Sequence, residues 1–124
     1  MQFDIENTVI SASINAKEGL KRCAGIHEIY IESLEAFVED GNDGLNEIPQ
    51  SLQSGDLNSY STHVHGIKSA LHTIGADDIS QKAYDLELAA NNNDLDYIKS
   101  HNDAFIDSLT TLVGEVEGFL DKDK

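Results

Sequence analysis

The chain has one cysteine, one proline and no tryptophan, and its 8 lysines and arginines stand against 23 aspartates and glutamates. A lone cysteine, Cys23, makes no internal disulfide, which fits a reducing compartment and a small buried or half-buried residue. The net charge of −15 argues against nucleic acid or an anionic membrane surface as partner, since both are polyanions, and favours a partner with a basic patch. No apolar run reaches the roughly 18 residues of a membrane span. The start, MQFDIENTV, lacks the basic-then-apolar pattern of a secretory leader. The expectation is a cytoplasmic protein without membrane or nucleic-acid partners. Also missing are a glycine-rich phosphate loop, an HExxH pair and a serine or cysteine elbow. Nothing therefore binds a nucleotide by motif, and self-phosphorylation from ATP is not expected.

What the chain does have is helical periodicity from end to end, without strand-like alternation or hairpin dipeptides. Its 124 residues form, by expectation, one domain over 1–124. Phe3, Ile5, Val9, Ile10 and Ile14 have mixed spacing and predict a lead-in packed across one end of the fold. Asn15, with Glu18 three positions on, resembles a capping box that opens a short helix ending near Ala24, before Gly25. Ile29, Tyr30, Leu34, Phe37, Val38, Leu45, Ile48 and Leu52 then keep one helical phase from His27 to about Gln53. Gly41, Gly44 and Pro49 fall inside that span, which leaves open a kink or a restart after Asn42 or Asn46.

Ser54-Gly55 turns the chain, and Asp56 is placed to cap the next helix. Over 57–76, LNSYSTHVHGIKSALHTIGA, the residues Leu57, Tyr60, Val64, Ile67, Leu71 and Ile74 recur at spacings of three and four and form one apolar stripe. Gly75 is placed to end this helix. A further helix begins at Asp77 or Asp78, carries Ile79, Ala83, Leu86, Ala89 and Ala90 on one face, and stops at the asparagines 91–93. The last, capped by Asp94, carries Leu95, Ile98, Phe105, Ile106, Leu109, Leu112, Val113, Val116 and Leu120. Four amphipathic helices on short turns predict an all-α, antiparallel up-down-up-down four-helix bundle with a short extra N-terminal helix.

One residue of the 57–76 helix does not belong to its core. At about 100° per residue, His65 falls more than a quarter-turn from the centre of the stripe, so its ring is expected on the outer face. Ser61, Thr62, Gly66 and Ser69 around it are small and leave it open to a large partner. Lys68, at i+3, offers a mobile positive charge beside the ring. Glycine costs a helix interior roughly 1 kcal/mol relative to alanine, so Gly66 points to close approach of another surface.

The run HGIKSALHTIGA (65–76) resembles the signature of histidine phosphotransfer (HPt) domains: a histidine, a small residue, an aliphatic, a lysine, small residues and a helix-ending Gly-Ala. GLKRCAGIHEIYIESLEAF (19–37), SGD (54–56) and AYDLELAA (83–90) are similar to the family's first long helix, pre-histidine turn and third helix. Ser69 departs from the glycine usual after the lysine, but is also small. The resemblance implies that His65 accepts a phosphoryl group through Nε2 from a receiver-domain aspartate and passes it to a second receiver, with Lys68 as charge partner. It implies as partners the receiver domains of a hybrid histidine kinase and of a response regulator, the receiver bringing the metal and most of the catalysis. The protein would be a phosphocarrier and not an enzyme, with no cofactor of its own, and a diffusible monomer is expected. A neutral imidazole suits the task, because with an ordinary pKa near 6.5 its nucleophilic form dominates at pH 7.

Two metal-binding readings fail on the residues. His63 points to another face, and His72 lies about 10 Å along the axis from His65, too far to share a metal within one helix. No metal site is expected, and His72 is placed at the edge of the docking surface. An EF-hand loop beginning at Asp40 would need glycine and glutamate where the chain has Leu45 and Ser51. The alternative to phosphotransfer is a non-catalytic helical adaptor that binds receivers or other partners.

Overall fold

A computed structural model describes residues 8–123; Phe3 and Ile5 of the expected lead-in lie outside the described residues. Five helices follow in order: α1 (Ala16–Arg22), α2 (His27–Ser54), α3 (Leu57–Ile74), α4 (Asp77–Asn91) and α5 (Leu95–Asp123). The last four form the bundle, α2 against α3, α3 against α4, α4 against α5, and α5 closing on α2. Short turns join them, and no strand occurs among the described residues.

The caps show why the helices begin and end where they do. Asn15, Asp56 and Asp94 each accept a backbone N–H three residues on, from Glu18, Ser59 and Tyr97. Only half of the capping box at α1 forms. The Asn15 N–H that Glu18 was expected to hold instead donates to the Gly75 carbonyl at 3.0 Å, and the Glu18 carboxylate stands 3.6 Å from Arg22. Gly55 and Gly75 close α2 and α3 in the left-handed conformation, at φ +76° and +92°.

α2 runs unbroken over 28 residues, through all three positions that left its continuity open. Gly41 and Gly44 are buried contact points. A Cβ at Gly41 would lie 2.6 Å from Val113 Cγ2, and one at Gly44 3.0 Å from Ile67 Cγ1, so these glycines let α5 and α3 approach α2 closely. Pro49 is exposed near the end of the helix, where its missing donor costs one hydrogen bond on the wet side.

The apolar stripes meet in one core, with Tyr30, Leu34, Phe37, Ile48, Tyr60, Val64, Leu71, Ile74, Ile98 and Leu109 fully buried. Ile29 and Leu95, assigned to stripes by phase, are instead 42% and 43% exposed, because each stands in the first turn of its helix, beyond its neighbours. Each large buried polar group has a partner: Tyr60 Oη donates to Asn102 Oδ1 at 2.7 Å and Tyr30 Oη to the Ile74 carbonyl at 2.8 Å. Burial, the first cause in each case, pushes both phenols up from the ordinary tyrosine value. α1 closes the end of the bundle where α3 stops, through Asn15 and through Arg22, which donates to the His72 carbonyl and to both oxygens of Asp77.

Candidate functional site

The α3 stripe of Tyr60, Val64, Ile67, Leu71 and Ile74 is buried, which fixes the rotation of the helix and turns His65 outward. The His65 side chain is 58% exposed. Its Nδ1 lies 2.7 Å from Glu87 Oε2 on α4. The other oxygen of the same carboxylate, Oε1, accepts from Lys68 Nζ at 2.8 Å. Lys68 also passes over the Tyr84 ring, 5.4 Å from its centroid. Lys68 is therefore held, not the mobile charge expected from its spacing: its side chain is 23% exposed, and its link to His65 runs through Glu87.

Glu87 was not singled out from the sequence, although it stands in the stretch 83–90. It is 22 residues from His65 and on another helix. Burial pushes its carboxyl up, but the hydrogen bonds and charges of Lys68 and His65 outweigh that and hold it below its ordinary value of 4.5. An ionised carboxylate can only accept, so at neutral pH Nδ1 of His65 carries the proton. The lone pair of the neutral ring is then on Nε2, the nitrogen turned away from Glu87.

Of the small neighbours, Gly66 is exposed, with open space where a Cβ would point. Ser69 is exposed and returns its hydroxyl to the His65 carbonyl. Thr62 does the same to the Asn58 carbonyl, while Ser61 turns to the α4 seam and donates to Asn91 at 2.9 Å. Gly66, Ser69, Ala70 and Thr73 of α3 face Ser33, Ala36 and Asp40 of α2 across a shallow groove of about 240 Å³. His72 is as open as His65, with its Nδ1 3.7 Å from Asp77 Oδ1. Gly75, ten residues from His65, ends the helix and does not reach the site. Among the described residues, no group of three or more histidine, cysteine, aspartate or glutamate side chains is gathered as a metal site.

The bundle thus presents an open histidine on one face, with its Nδ1 on a carboxylate, a lysine on that same carboxylate, and the second ring nitrogen left outside this contact. The Hpt domain family model matches residues 32–119, and the chain belongs to that family. Hpt domains relay phosphoryl groups through a histidine in phosphorelays, in contact with receiver domains. No curated protein and no solved structure matches the chain. Among the described residues, no helix is long and apolar enough to cross a membrane.

Proposed function

We propose that His65 is the phosphoacceptor of this domain, taking a phosphoryl group from a receiver-domain aspartyl phosphate and returning it to the aspartate of a second receiver. The observation that carries this reading is the 2.7 Å contact of Nδ1 with Glu87 on an otherwise open ring. In the forward step the Nε2 lone pair forms the P–N bond as the bond from phosphorus to the aspartyl oxygen breaks, and the aspartate leaves as carboxylate. The proton stays on Nδ1. The ring consequently becomes cationic, and Glu87 stands where that charge develops, as a carboxylate behind a catalytic imidazole does.

Lys68 is the nearby cation for the incoming phosphoryl oxygens, and Gly66 and Ser69 leave room for the receiver. The receivers in this reading are those of a hybrid histidine kinase and a response regulator; they supply the metal, and this chain is a carrier. A single cytoplasmic domain over residues 1–124, acting as a monomer, is part of the same proposal.

The test is incubation with a phosphorylated receiver, followed by location of acid-labile phosphate by mass spectrometry. Label on His65, lost in His65→Gln while receiver binding persists, is the expected result. An unlabelled His65 from several competent receivers, with binding intact, would reassign the bundle to the adaptor class.

A further inference from the structure

The outer face of α3 carries a second open histidine near an α4 carboxylate, in a looser version of the His65 arrangement. His72 stands two helical turns beyond His65, and its side chain is equally open, 61% against 58%. Its Nδ1 faces Asp77 Oδ1 at 3.7 Å, and Asp77, like Glu87, belongs to α4. Each carboxylate is shared with a cation. Arg22 Nη1 donates to Asp77 Oδ1 at 2.6 Å and Nη2 to Oδ2 at 3.0 Å, as Lys68 donates to Glu87. The Arg22 hydrogen bond holds the Asp77 carboxyl below its ordinary value, so it too stays an acceptor.

Lys68 belongs to both arrangements, three residues after His65 and four before His72, which places it on the same helical face as each. Lys68 and His72 line one groove of about 560 Å³ with the hydroxyls of Ser69, Thr73 and Ser80. The remaining histidines lack this setting. Among the described residues, no carboxylate lies within 4 Å of a ring nitrogen of His27, His63 or His101, and His101 Nδ1 meets the Tyr97 carbonyl instead.

We propose that His72 is a second phosphoryl-accepting histidine, served by an activated phosphoryl donor, either a mixed carboxylic–phosphoric anhydride or a phosphoramidate; the proposal rests on the reading of His65 for the role it gives Lys68. The Nε2 lone pair of His72 forms the P–N bond. The donor's P–O or P–N bond breaks, and carboxylate or ammonia leaves with the electron pair. The reacting tautomer is the one with its proton on Nδ1, which stays there, and Asp77 faces the positive charge that the ring acquires. The 3.7 Å separation is longer than a hydrogen bond, and Arg22 already occupies both Asp77 oxygens. Without one charge-assisted hydrogen bond, His72 reacts roughly ten- to a hundredfold more slowly than His65.

The experiment uses the full chain with His65→Gln, an exposed position whose change leaves the core untouched. It is incubated in parallel with phosphoramidate and with a phosphorylated receiver, and acid-labile label is located peptide by peptide. Label on His72 ahead of His27, His63 and His101, abolished by adding His72→Gln, is the expected result, and the productive arm identifies the donor as small or protein-bound. His72 unlabelled by both donors, or labelled no faster than His27 and His63, overturns the proposal. The His65 reading is judged separately, on the His65 peptide of the unmodified chain. Label there, with none on His72 in the variant, removes the second site alone.

Discussion

At the scale of single residues, Glu87 is the side chain that joins His65 to Lys68, and the role the proposal gives it is electrostatic. Its carboxylate accepts from Nδ1 of His65, and in the proposed transfer it faces the ring that would turn cationic. Glu87→Gln keeps an oxygen for Nδ1 but removes the charge. A hydrogen bond to a charged group contributes about 1.5–3 kcal/mol, so phosphoryl acceptance by His65 is expected to slow roughly ten- to a hundredfold with the fold intact. Rapid-quench rates check this, and ¹⁵N spectra of the imidazole report the tautomer; an unchanged rate would reduce Glu87 to a packing role. The pH dependence has a definite sign. The folded-state pKa of Glu87 is depressed below 4.5, so its contribution is fully present above that value and is lost as pH falls through the folded pKa.

The histidine, the lysine and the small residues were legible because they share one helix, where spacing states who neighbours whom. Glu87 was not. Its relation to His65 depends on how α4 lies against α3, which no periodicity within either helix encodes. The spacing that placed Lys68 near His65 was equally silent on the carboxylate that would hold it.

At the scale of helices, the same limit appears in α2. Its apolar phase was readable across the whole span, but Gly41 and Gly44 read as weak points when taken alone. Only the partner helices reveal that the missing Cβ atoms are spaces occupied by Val113 and Ile67. Gly41→Ala would gain up to about 1 kcal/mol in helix propensity. It would also drive a Cβ to 2.6 Å from a β-branched side chain with little freedom to move, and overpacking of this kind costs about 1–3 kcal/mol. The expected outcome is a net loss in urea unfolding. Its size should shrink when the same change is made in a Val113→Ala background, which removes the obstructing methyl groups. Equal losses in both backgrounds would show that the close approach is not what requires glycine. The capping asparagine and aspartates, by contrast, were legible outright, because a cap is satisfied within four residues.

At the scale of the molecule, charge is the dominant global feature. The net charge is −15, and α2 contributes seven carboxylates with neither lysine nor arginine. The repulsion among exposed carboxylates acts over distances comparable to the bundle and is therefore sensitive to salt, since the Debye length falls from about 30 Å at 0.01 M to about 8 Å at 0.15 M. The attractive pairs are of another kind. Lys68 with Glu87 and Arg22 with Asp77 are in direct contact at 2.8 and 2.6 Å, and the first is largely shielded from solvent, so salt weakens them less. Sodium chloride should accordingly stabilise the fold at pH 7, raising the urea midpoint by an amount equivalent to on the order of 1 kcal/mol over this range. Near pH 4.3, where the net charge vanishes, the repulsion is gone and the gain should disappear. Glu87→Gln should leave the slope at pH 7 almost unchanged, because one contact pair is removed from a field set by the whole surface. A midpoint that fell with salt at pH 7 would mean that the local pairs outweigh the long-range field, and with it that the acidic surface has no net destabilising effect on the bundle.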